Sequence, residues 1–314
     1  MKRLFVLVIA VFALSTSAQA MTLNVYCGQK RLPHSINAAL KMLNPQGPNT
    51  LNVYGTCKEN VTVWRFNQLT LSGQPGATIN DASGGTGAVV YIGESTEIEV
   101  QGFTINGGTW TVMCDDFSVC RLDGNTIQGA SGVGVQIGMS RATIGANTIQ
   151  NNGTGIAIIE SGFVRSTGGL IVQQNQGDGV LVDYGGTYDS FGDTIQNNGN
   201  GIDSFQHGFL LLVGATITGN SLYGVLVLGQ SSADFEVSNS VTGNGASGVL
   251  IRDSSYVDFR ASNTITGNGG WDVECEPQFP NTRGVSAFAN TNCTEPLNIA
   301  GSRTVQPQMR KPIR

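Results

Sequence analysis

Asn147-Thr-Ile-Gln-Asn-Asn-Gly-Thr-Gly-Ile-Ala-Ile158 decides the fold: a short strand ending at Ile149, a polar corner, then a second strand from Ile156 to Ile158. The unit recurs. Asn152, Asn175, Asn198, Asn220, Asn244 and Asn268 each stand three residues after a β-branched residue, Ile149, Val172, Ile195, Ile217, Val241 and Ile265. Ile127, Ile105 and Ile79 extend the beat towards the N-terminus, so the period is 22 to 24 residues with one looser step near the start. A period of this length with strand-like content predicts a solenoid, because one repeat cannot bury its apolar face without its neighbours.

Equivalent second strands are Val135 to Ile137, Val180 to Val182, Ile202 to Ser204, Val225 to Val227 and Val249 to Ile251, and a third strand follows near Phe235 and Phe259. Side chains alternate across a strand, so the outer pair of each triplet points inward and the middle residue outward. The prediction is an all-β, right-handed, three-sided parallel β-helix of about nine to ten coils. The asparagine column reads as structural, since Asn tolerates a left-handed corner and stacked amides bond along the column. Gly153, Gly199, Gly245 and Gly269 read as corner residues with positive φ.

The ends read as caps. Ser35 to Leu43 has a Ser cap and places Ile36, Ala39, Leu40 and Leu43 on one helical face, a helix to plug the first coil. The expected layout is a leader over 1–20, an N-terminal cap over 21–50, the β-helix over 51–275, a disulfide-tied C-terminal cap over 276–300 and a disordered tail over 301–314. The leader rests on Lys2 and Arg3, an apolar run from Leu4 to Leu14 and Ala18-Gln19-Ala20 before Met21, the pattern of a secretory signal. It implies export to the periplasm or beyond. Without the leader the chain carries a net charge of about −7 and two histidines, which excludes a basic nucleic-acid footprint. No later stretch has the length of a transmembrane helix.

Six cysteines fit an oxidising compartment. Cys120 and Cys275 would lie roughly 30 Å apart along the stack, beyond the roughly 7 Å that a disulfide spans, which leaves Cys275 for Cys293. Local partners favour Cys27 with Cys57 and Cys114 with Cys120, with a swap within those four open.

The Ser35-Ile-Asn-Ala-Ala-Leu40 helix leading into Asn-Thr-Ile-x-x-Asn-Gly-x-Gly-Ile coils resembles the pectin-lyase-like superfamily over residues 35 to 275. The resemblance implies the β-helix and a range of activities: pectate lyases, polygalacturonases, alginate lyases and epimerases, and phage tailspikes. Their motifs are mostly missing. Of the polygalacturonase set only Asp115-Asp116 and Gln206-His207-Gly208 are present, near 19 Å apart by strand spacing, and Asp115-Asp116 reads as a solvated loop.

A carbohydrate-processing site needs carboxylates from adjacent coils on one face, as acid and base or to hold Ca²⁺ against an anionic sugar. Asp183 and Asp203 fit, pointing outward from neighbouring coils at roughly 8 Å between Cα atoms. Glu160, Tyr184, Tyr188, Phe205 and His207 are expected around them, with Arg165 near the preceding coil. Calcium has no motif to support it, and zinc chemistry lacks ligands. Leu181, Leu226 and Leu250, with Leu228, are expected as an outward apolar stripe suited to self-association or covered by a loop. The role expected is binding an extracellular or cell-envelope polysaccharide, with an enzyme of the same substrate class and a self-associating surface protein as the alternatives.

Overall fold

The computed structural model describes residues 20–260, 262–276 and 281–294. The leader and the 301–314 tail lie outside them. Inward rows of Val, Ile and Leu, most fully buried, wind into a parallel β-helix of three faces. Each coil contributes one strand to sheet 1, which has ten strands from Val61–Trp64 to Val273–Cys275. It then turns into sheet 2, which runs from Met21–Cys27 to Asn281–Arg283, and bends into sheet 3, whose rungs are mostly three-residue strands such as Thr148–Gln150. Sheets 2 and 3 join through Asn49–Lys58, which belongs to both. Met21–Cys27 already pairs with Asn49–Lys58, so stacking begins before residue 51.

Register is kept by whole residues: Val180 pairs with Ile202, Ile202 with Val225, Val225 with Val249 and Val249 with Val273. Each such side chain is removed from water, a contribution of about 1.5–3 kcal/mol apiece.

The ladder forms as expected. Asn198 donates Nδ2 to the Val172 carbonyl at 3.1 Å, and its Oδ1 accepts from the Asn175 backbone at 3.0 Å and the Asn175 amide at 2.9 Å. The backbone around it differs from the expectation. Positive φ falls on the residue before the ladder asparagine, at Asn151, Gln174 and Asn197 (each 57°), not on Gly153, Gly199, Gly245 and Gly269. Those glycines are required by close approach: a Cβ on Gly199 would meet the Gly177 carbonyl oxygen at 2.7 Å.

The helix spans Ile36–Leu40, shorter than the sequence pattern suggested. Ser35 Oγ accepts from the Ala38 amide at 3.1 Å, while Glu59 accepts from the Ile36 and Asn37 amides at 2.6 and 3.0 Å. At the far end Phe235, Phe259 and Phe288 stack with successive centroids 5.0 Å apart and close the core. The disulfides are Cys27–Cys57, Cys114–Cys120 and Cys275–Cys293, bonds suited to an oxidising compartment. No helix among the described residues is long and apolar enough to cross a membrane.

Candidate functional site

Alternation on sheet 1 leaves one outward column through the middle of the face, in which Leu181, Asp203, Leu226, Leu250 and Glu274 are consecutive neighbours. Asp203 is therefore a carboxyl set between leucines. Leu226 and Leu250 are 6% and 3% exposed and pack with Leu228 and Tyr223. The expected exposed leucine stripe is absent there, because long side chains one strand spacing apart shield each other.

This apolar bed sets the chemistry of Asp203. Burial pushes its carboxyl up to about 7; the negative charges of Asp178 and then Asp183 push the same way, and Arg252 pulls against them. Its Oδ1 is shut off from solvent without a hydrogen-bond partner, as are Ser204 Oγ and Gln206 Oε1, so orphaned polar atoms cluster within four residues. Asp178 is itself raised by burial, opposed by the Asn200 amide at 2.9 Å. Asp183, two positions further along the neighbouring strand, accepts from the Tyr184 amide at 2.7 Å.

The other expected residues divide. Tyr184 and Phe205 are exposed at the rim, and His207 is an exposed corner residue with φ 68°. Glu160 acts electrostatically on Asp115 rather than on Asp203. Arg165 lies on sheet 2, stacked 4.7 Å over Phe191. Tyr188 is corrected: it is an inward residue of Thr187–Phe191, fully buried, and its hydroxyl donates to Asp193 at 2.7 Å. Asp178, Asn200, Tyr223 and Arg252 are the members that sequence reasoning missed. Asp178, Asn200 and Tyr223 share an outward position just before the strand triplet, a register legible once the pairing is known.

Asp115-Asp116 is also not simply a solvated loop. Asp115 ends a strand of sheet 1 and is raised by burial, and Asp116 accepts a hydrogen bond from the Tyr91 hydroxyl. Separate hollows occur elsewhere: about 490 Å³ on sheet 2 beside Thr70, Glu99 and Arg121, and about 640 Å³ between the helix and Trp64.

No protein-family model and no curated protein matches the chain. Solved structures do. The A-module of mannuronan C-5 epimerase AlgE6 from Azotobacter vinelandii is similar with a TM-score of 0.59 at 16% identity, over 73% of this chain and 71% of that one. The pectate lyase Pel9A is similar with a TM-score of 0.58 at 13% identity, over 80% and 78%. ORF18 of Geobacillus virus E2 gives 0.55 at 12%, over 83% and 61%. At such identities the likeness is one of fold, the parallel β-helix.

Proposed function

We propose that the protein is a polysaccharide-active enzyme in which Asp203 transfers a proton to or from the bound glycan. The carrying observation is the desolvated Asp203 carboxyl, with an orphaned oxygen and a pKa near 7. A general acid or base works best when its pKa lies near the working pH, and a carboxyl held there by burial beside two other acids is arranged as catalytic acids are. The neighbours named as an epimerase and a pectate lyase support this enzymatic alternative over the binding role favoured by the sequence.

Asp203 is neutral below about pH 7 and charged above it. Activity that falls as pH rises through about 7 makes it the acid; activity that rises makes it the base. The test is turnover of neutral, amine-bearing and uronic polymers by the mature protein, followed by Asp203→Asn. A loss on the order of 10²–10⁴-fold, with the inflection near 7 removed and folding intact, is expected. Unchanged turnover in both Asp183→Asn and Asp203→Asn removes the site, and glycan binding without turnover in the wild type returns the protein to the binding role.

A further inference from the structure

Trp64 ends the first strand of sheet 1, Val61–Trp64, where Val61 and Val63 point inward and Thr62 and Trp64 outward. Its indole is 39% exposed yet held in place. Tyr91, on the next strand, stacks against it with centroids 6.2 Å apart and planes at 15°. The indole lies over Gly93, where a Cβ would meet Trp64 Cζ3 at 2.5 Å, so the bare backbone of Gly93 is the bed for the ring. Tyr91 is anchored by its hydroxyl, which donates to Asp116. Arg65 lies 5.6 Å from the indole centroid and pairs with Glu94 at 2.6 Å. Phe117, directly after Asp116, is 77% exposed.

A core tryptophan would be covered, and a loosely attached surface one would lack this bracing. A flat aromatic surface, immobilised in advance and rimmed by Asp116, Glu94 and Arg65, offers what a pyranose presents: an apolar C–H face to stack and hydroxyls to hydrogen-bond. We propose that Trp64 and Tyr91 form a sugar-stacking subsite for a distal unit of the polysaccharide whose reacting unit lies at Asp203. The subsite rests on the functional reading above for its second end. Trp64 and Asp203 lie on one sheet, six strand steps apart, roughly 29 Å, so the glycan runs along the solenoid axis.

Charge names the class of sugar. Between the two ends stand Asp115, Asp116, Glu160, Asp178 and Asp183, while Glu94 and Arg65 offset each other as a pair. A polymer with a carboxylate on every unit would be repelled along this path, so the units bound carry none. Neutral and amine-bearing chains satisfy this condition alike.

The experiment measures, by titration calorimetry, binding of cello-oligosaccharides, chitosan oligosaccharides and oligogalacturonates, with and without Ca²⁺, to the full mature chain and to its Asp203→Asn variant. Expected is saturable binding of a long cello- or chitosan oligomer by both proteins, weakened about ten-fold in Trp64→Ala and partly restored by Trp64→Phe. Binding unchanged in Trp64→Ala, or tighter binding of oligogalacturonate in Ca²⁺, overturns the proposal. So does a Trp64→Ala chain that changes its oligomeric state in sedimentation while keeping its glycan affinity. Because Asp203→Asn is used as a host for binding, loss of the subsite and loss of the catalytic role are read separately.

Discussion

Asn198 uses its side chain on both neighbouring coils, accepting from Asn175 and donating to Asn220 and to the Val172 carbonyl. Leucine at this position would leave those partners buried and unpaired, so Asn198→Leu is expected to lose about 1–3 kcal/mol in denaturant unfolding. The inward Ile195→Ala should cost about 2–5 kcal/mol. No change for Asn198→Leu beside a large loss for Ile195→Ala would show the ladder to be idle. Asp193 makes a different prediction. It follows Leu170 and precedes Ala215 at the corner of sheets 2 and 3, the register held elsewhere by Asn147 and Asn239. Burial raises its pKa despite donors at Ser190 and Tyr188. The folded chain thus holds this proton above the unfolded pKa of about 3.9. The associated stability is complete below that value and is lost as pH rises through the folded pKa. Asp193→Asn should flatten the fall in urea midpoint with rising pH relative to wild type, and parallel curves would refute it. The ladder was legible because it repeats. Asp193 and Tyr188 were not, since a single acid or phenol reads as surface until its strand's phase is known.

At the scale of the element, the strand triplets follow from alternation and Cys275–Cys293 from the rise of the stack, whereas Cys27–Cys57 and Cys114–Cys120 rest on local spacing, which leaves a swap among the four open until the structure pairs them. The short helix did not follow in length: it begins at Ile36 as the Ser35 cap implies, but after Leu40 the chain tightens into turns, with Met42 N–H donating to Ala39 and Leu43 N–H to Leu40, ahead of Asn44-Pro45. Asp203 was found as an outward residue, while Asp178 was missed because it precedes its strand by two residues and is placed by Asn200 of the next coil. The last coil depends on Cys275–Cys293, whose sequence separation is 18 residues. Closing a loop of that size contributes about 3 kcal/mol through the unfolded chain. Replacing both cysteines with alanine should therefore release amide protection in 264–294 ahead of the middle coils by hydrogen exchange. Uniform protection in the double variant would mean that the Phe235, Phe259 and Phe288 stack suffices.

Over the whole molecule, charge is distributed by face. Sheet 3 shows an amide column outward, with Gln150 donating to Gln128, Gln173 to Gln150 and Gln196 to Gln173, each at 2.9 Å. Sheet 2 sets acids against arginines, Arg121 with Glu99 at 3.1 Å and Arg283 with Asp258 at 3.7 Å, while sheet 1 has the buried Asp203 carboxyl and the Trp64–Tyr91 stack. That division was invisible in the summed charge and appears only when the coils are stacked.

The asparagine steps of 22 to 24 residues make the length of this protein a whole-number variable. Excising residues 153–175 splices Asn152 to Gln176, as Asn175 was joined before, and keeps every later residue in phase. The shortened chain is expected to fold cooperatively, with Trp64 drawn one strand step, about 4.8 Å, nearer to Asp203. Excising one residue fewer turns the junction strand inside out and should give an aggregating product on size exclusion. Growth or shortening of such a solenoid therefore proceeds by complete turns.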